Sequence, residues 1–154
     1  MQMKTKSYFL NLLLSAGLLL LFGISQSGCT PEADNGELDG MWKLRTIAYQ
    51  TGEQVSCEDL YYIISHRLIE LAWSYEDKRP GQEMTYYLGR FQHKGDSLYI
   101  YDFRHYKHEE NKVSVEELNR FGLQDEETGF RITTLNSSHM TLQAPHATLY
   151  FRKF

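Results

Sequence analysis

Beyond Gly40 the chain is dominated by short runs in which apolar and polar positions alternate, the period of a half-buried strand. Trp42, Leu44, Thr46 and Ala48 alternate with Lys43, Arg45 and Ile47, which predicts a first strand ending at the turn Gln50 to Glu53. Tyr61 to Tyr75 is a long β-prone run with a bend expected near Ser65 to Arg67, and Arg79-Pro80-Gly81 closes it. Met84 to Gln92 and Leu98 to Phe103 flank His93-Lys94-Gly95-Asp96-Ser97, the clearest hairpin of the chain. Gly95 there supplies the positive φ that such a turn needs. Phe130 to Leu135, His139 to Ala144 and Ala147 to Phe154 complete seven predicted strands. Their near-regular spacing indicates an all-β meander, a small antiparallel up-and-down barrel or a sandwich.

One segment departs from this period. Ser114 followed three positions later by Glu117 is a capping box. Val115, Leu118 and Phe121 then form an apolar stripe at helical spacing, and Gly122 can end it. A two-turn helix over 115–121 is expected, covering one end of the barrel or gating a ligand.

The first thirty residues follow a different rule. Lys4 and Lys6 precede an apolar run from Tyr8 to Ile24, and small and polar residues then lead to Cys29. That order is a secretory signal, and the run is shorter than the roughly 20 residues that span a bilayer. Ser27-Gly28-Cys29 resembles the lipobox of bacterial lipoproteins, with Gln26 departing from its aliphatic preference. The resemblance implies cleavage after Gly28 and lipidation of Cys29. A diacylglycerol thioether plus a third, palmitate-type chain would anchor the protein firmly, since about two chains already suffice. Residues 1–28 are thus expected to be a signal peptide and 29–39 an acidic, flexible tether with Glu32, Asp34, Glu37 and Asp39. Acidic residues after such a cysteine also resemble surface-export signals, so periplasm-facing and surface-exposed locations in the envelope both stay open.

Charge narrows the partners. Removing Lys4 and Lys6 leaves 14 basic against 20 acidic residues, a mature net charge of 14 − 20 = −6. That argues against nucleic acid, and equally against a second, electrostatic attachment to anionic lipid. With Cys29 lipidated, Cys57 has no disulfide partner. Catalytic signatures are missing: there is no nucleophile elbow, phosphate-binding glycine loop or zincin motif. His105 and His108 would share a face on a helical turn, with Glu109 as a further oxygen ligand, but Arg104 and Lys107 would repel a cation. A solvated loop is the reading adopted. No enzyme, metal or cofactor is expected.

Gly40-Met41-Trp42 resembles the opening Gly-x-Trp of the lipocalins, and Leu38 to Leu44 as a whole looks like the lipocalin-like lipoproteins of Gram-negative bacteria. Gly89-Arg90-Phe91, the Lys94 to Leu98 hairpin and the closing Leu149-Tyr150-Phe151-Arg152 fit the same group. The resemblance implies an eight-stranded barrel over 40–154 with an internal cavity. It also implies that Trp42 packs at the closed end under a basic side chain from the last strand. Arg152 is the residue expected there, although Leu149 and Phe151 share a strand face that excludes it. Tyr99, Tyr101 and Phe103 share one face of their strand, and Tyr87 and Phe91 one face of the strand before. These five are the candidate lining for a small apolar or amphipathic ligand. A solidly packed barrel serving a protein partner is the alternative.

Overall fold

Alternation becomes a closed ring. The computed structural model describes residues 35–73 and 85–154. A 3-10 turn, Gly36–Leu38, leads into β1 (Gly40–Tyr49), β2 (Gln54–Ser65), β3 (Leu68–Trp73), β4 (Thr85–Lys94), β5 (Ser97–His105) and β6 (His108–Lys112). The helix α1 (Val115–Asn119) follows, then β7 (Thr128–Leu135), β8 (His139–Gln143) and β9 (Ala147–Lys153). Each strand pairs antiparallel with its neighbours in the order β4-β3-β2-β1-β9-β8-β7-β5, and β4 pairs with β5 to close eight strands into a barrel. The short β6 lies outside the ring, paired with the end of β5. No described helix is long and apolar enough to cross a membrane.

The predicted strands are found, with three differences. The Tyr61 to Tyr75 run is two strands, β2 and β3, folded at His66, whose φ is +54°. β2 begins at Gln54, earlier than expected, because Gln54 to Asp59 is polar and half of it bulges. Leu44 pairs with Leu60 but Thr46 with Ser56, which leaves Cys57 to Asp59 without a regular partner on β1. β6 carries His-Glu-Glu-Asn-Lys, exposed throughout. Polar strands on the outside of a barrel give no alternation to read.

The inward faces of the eight barrel strands are apolar except at Thr128. Trp42, Leu44, Tyr62, Ile64, Ile69, Leu71, Leu98, Ile100, Met140, Leu142 and Leu149 are each 0–1 % exposed and form one continuous core. Burying one such side chain contributes about 1.5–3 kcal/mol. Cys57 is buried as well, a thiol pushed up from its usual value by desolvation. The last residues of the expected tether are folded: Leu38 is fully buried, and the Asn35 side chain donates to Asp39 (2.6 Å) and to the His66 carbonyl (2.8 Å). Cys29 lies outside the described residues.

Turns alternate between the two ends of an up-and-down barrel. The 3-10 turn and the β2–β3, β4–β5 and β7–β8 turns lie at one end. The β1–β2 turn, the β8–β9 turn and the long connection carrying α1 lie at the other.

Candidate ligand site at the helix-covered end

The end that would be a mouth is occupied by the chain itself. Ser114 accepts from the Glu117 backbone N–H, and the Glu117 carboxylate accepts from the Ser114 N–H at 3.0 Å, the expected capping box. The helix is shorter than predicted, ending at Asn119, but the stripe holds: Leu118 and Phe121 are both fully buried. Gly122 (φ +81°) turns the chain so closely over β9 that a Cβ there would lie 2.5 Å from Leu149 Cδ2. A glycine is required on both counts.

Phe121 enters a cage of aromatic rings. Its centroid lies 6.2 Å from Tyr62, 6.0 Å from Trp73 and 6.1 Å from Tyr87, all tilted edge to face. Trp73 and Tyr87 are 4.9 Å apart. Such pairs add about 0.5–1.5 kcal/mol beyond their burial. Polar contacts hold the segment over the cage. The Tyr62 hydroxyl donates to the Phe121 carbonyl at 2.7 Å, and His146 Nε2 meets the Gly122 carbonyl at 2.9 Å. The Tyr87 hydroxyl donates to Glu117 at 3.1 Å, His105 Nε2 lies 3.7 Å from the same carboxylate, and the Arg120 guanidinium lies 5.0 Å over Trp73. Glu117 is held below its ordinary value by the Ser114 backbone N–H above all, then by the Ser114 and Tyr87 hydroxyls and the charge of His105. Desolvation pushes the buried Tyr62 hydroxyl the other way, well above its ordinary value.

The expected lining divides between inside and outside. Tyr87, Phe91 and Phe103 point inward, each 4–6 % exposed. Tyr99 and Tyr101 do not; they stack on one another on the outer face at 5.5 Å, and Tyr99 donates to Glu127. The shared face expected for Tyr99, Tyr101 and Phe103 fails at Asp102, which adopts φ +54° and shifts the alternation by one residue. Leu98 and Ile100 are therefore inside before the shift and Phe103 after it. Phe103 fits because it faces Gly89, where a Cβ would lie 2.4 Å from its ring.

Among the described residues no three His, Cys, Asp or Glu side chains come close enough to hold a metal ion. His105 and His108 face each other across the β5–β6 hairpin and do not lie on a helical turn.

Comparison with known proteins identifies the barrel. The model of the lipocalin-like domain matches residues 20–154. The chain belongs to the lipocalin-like domain family. Two solved structures have the same fold. A lipocalin-like protein from Bacteroides uniformis is 22 % identical over 77 % of this chain and all of that one, with a TM-score of 0.58. An uncharacterized protein from Bacteroides eggerthii is 20 % identical over 75 % of this chain and 98 % of that one, with a TM-score of 0.59. Among curated proteins none matches.

The lipocalin-like barrel also has the Trp42 arrangement at its other end, with one correction. Trp42 is fully buried and its indole N–H donates to the Leu38 carbonyl at 2.8 Å. The cation over its ring is Lys153, at 4.8 Å, not Arg152. Arg152 is exposed, and Lys153 shares the inward phase of Leu149 and Phe151. Lys153 also donates to the Glu37 carbonyl, tying the 3-10 turn over the tryptophan. Of the residues around the covered end, Tyr62, Trp73 and Arg120 were missed by sequence reasoning. Trp73 had a visible signal, a tryptophan on the apolar phase of a predicted strand.

Proposed function

We propose that this lipocalin-like protein is a non-enzymatic lipoprotein of the cell envelope, anchored through acylated Cys29, that binds a small apolar or amphipathic molecule at the covered end of its barrel. The observation that carries the reading is the closure itself. The cage of Tyr62, Trp73 and Tyr87 is covered by a five-residue helix and its following turn, held by side-chain contacts and not by strand pairing. A segment attached in that way can move aside without opening the barrel wall. The rings would then accept apolar area, and the Tyr62 and Tyr87 hydroxyls, freed from Phe121 and Glu117, would orient a polar group.

Native mass spectrometry of protein purified from its host tests this. A small molecule that co-purifies, and is lost in Trp73→Ala, is the expected result; a ligand-free protein that also rejects lipophilic fluorophores refutes it. The anchor is tested by Cys29→Ala, which should leave the membrane fraction and lose its acyl label. A variant that keeps both would refute lipidation. A second reading, an envelope subunit acting through its outer surface, draws support from the packed interior and from Tyr99, Tyr101 and Tyr150 on the outside. Recovery of one defined protein partner, lost in Tyr99→Ala/Tyr101→Ala, with no small molecule bound, would favour it.

A further inference from the structure

The net charge of −6 expected for residues 29–154 hides a segregation. The α1 end carries Glu53, Glu109, Glu110, Glu116, Glu117, Asp125, Glu126 and Glu127 against Lys107, Lys112 and Arg120. The opposite end presents Arg67, Arg90, Lys94, Arg131, Arg152 and Lys153, with Glu37, Asp39, Asp96 and the Phe154 carboxylate as its acids. Two of these cations, Arg67 and Arg90, line a cleft of about 480 Å³ between the β2–β3 and β4–β5 turns. His66, Arg67, Arg90 and His93 line it, together with Leu68 and Tyr101. Leu68, Arg90 and Tyr101 form a cross-strand row on the outer face of β3, β4 and β5. Asp102 lies 3.8 Å from Arg90 but is engaged by Arg104 at 2.9 Å. An exposed leucine and a tyrosine among arginines is the composition of a surface that meets lipid headgroups.

Chain length places that surface. Asn35, where the described chain begins, forms part of the cleft's rim. Six peptide units separate it from Cys29, which allows a reach of about 20 Å at most. We propose that this cleft docks on the anionic phospholipid headgroups of the membrane that carries the protein, holding the barrel with its basic end down and the α1 end outward. The inference rests on the lipidation of Cys29. It revises the expectation that an acidic protein makes no second, electrostatic attachment, because attraction acts over about one Debye length and senses the near end, not the total charge.

The experiment uses the full-length protein purified from its host, with acylation of Cys29 verified by intact mass. It is reconstituted in phosphatidylcholine vesicles with and without phosphatidylglycerol, and amide exchange is followed at residues 65–68 and 92–97. Anionic vesicles should slow exchange there on the order of fivefold per engaged cation, and salt at about 0.5 M should abolish the effect. The turn at 50–53, at the other end, should not change. Arg67→Glu/Arg90→Glu should lose the protection and Arg67→Lys/Arg90→Lys should keep it. Equal exchange in both vesicle types with acylated protein overturns docking and leaves the anchor standing. Protein without acyl chains that stays out of the vesicles overturns both. Equal protection by inorganic phosphate in solution makes the cleft a small-anion site and overturns membrane docking.

Discussion

If α1 is a plug, its anchor is Phe121, and truncating that one side chain should unmake it. Phe121 is fully buried, and its neighbours Tyr62, Trp73 and Tyr87 are rings on paired strands that cannot collapse into the space it leaves. Phe→Ala in a core costs about 3–5 kcal/mol, with the upper part reached where the surroundings relax least. A value of about 4 kcal/mol is expected for Phe121→Ala. A urea slope of about 1.5 kcal/mol/M turns that into a midpoint lower by about 2.7 M. The bond from the Tyr62 hydroxyl to the carbonyl of residue 121 does not depend on the Phe121 ring, so the segment should stay in place over a new apolar cavity. Such a cavity stays dry and takes up benzene-sized molecules. Urea unfolding followed by tryptophan fluorescence, with and without benzene, measures both effects. Benzene should raise the midpoint of Phe121→Ala and leave the parent unchanged. A loss under about 1.5 kcal/mol, or a variant indifferent to benzene, would show that Phe121 does not fill the barrel, and the plug would have to be abandoned.

Three further outcomes can be checked on the same footing. Lys153→Ala should cost about 1 kcal/mol through the lost cation over Trp42, whereas Arg152→Ala should stay within about 0.5 kcal/mol; equal effects in denaturant titration would put the correction between them in doubt. Glu117 has its pKa lowered on folding from 4.5, so it adds stability above about that pH which is lost as the pH falls through the folded value. Glu117→Gln should thus cost under about 1 kcal/mol at pH 7, the carboxylate being 37 % exposed, and converge on the parent in acid; a constant difference down to about pH 2 would contradict this. Gly89→Ala forces a Cβ into the Phe103 ring and should lower the urea stability by about 1–3 kcal/mol, an effect that Phe103→Leu should partly relieve.

The barrel was legible where one face is apolar and the other polar. β7, β8, β9 and the β4–β5 hairpin follow from alternation and one glycine, and the capping box located α1 to within its last turn. What was not legible traces to particular residues. Asp102 takes a left-handed conformation that many aspartates could adopt and few do, and that single choice sends Tyr99 and Tyr101 outside. Gln54 to Asp59, in which only Cys57 is buried, and His108 to Lys112 are strands with little apolar pattern, specified by their partners. Lys153 was within reach, since counting by twos from Leu149 arrives at it. The aromatic cage was not, because Tyr62, Trp73, Tyr87 and Phe121 are brought together by the closure of the ring.

The closure by Phe121 also changes what a ligand has to compete with. The segment between Lys112 and Thr128 is bound to the barrel at both ends, so its phenyl group acts as a tethered occupant at an effective concentration on the order of millimolar or above. A free molecule present at micromolar levels must therefore bind the cage about a thousandfold better than Phe121 does before it displaces half of it. A single ring of the same size cannot meet that requirement. On the proposed reading the barrel is in this sense already inhibited by its own chain, and it would select for molecules that cover more apolar area than one phenylalanine.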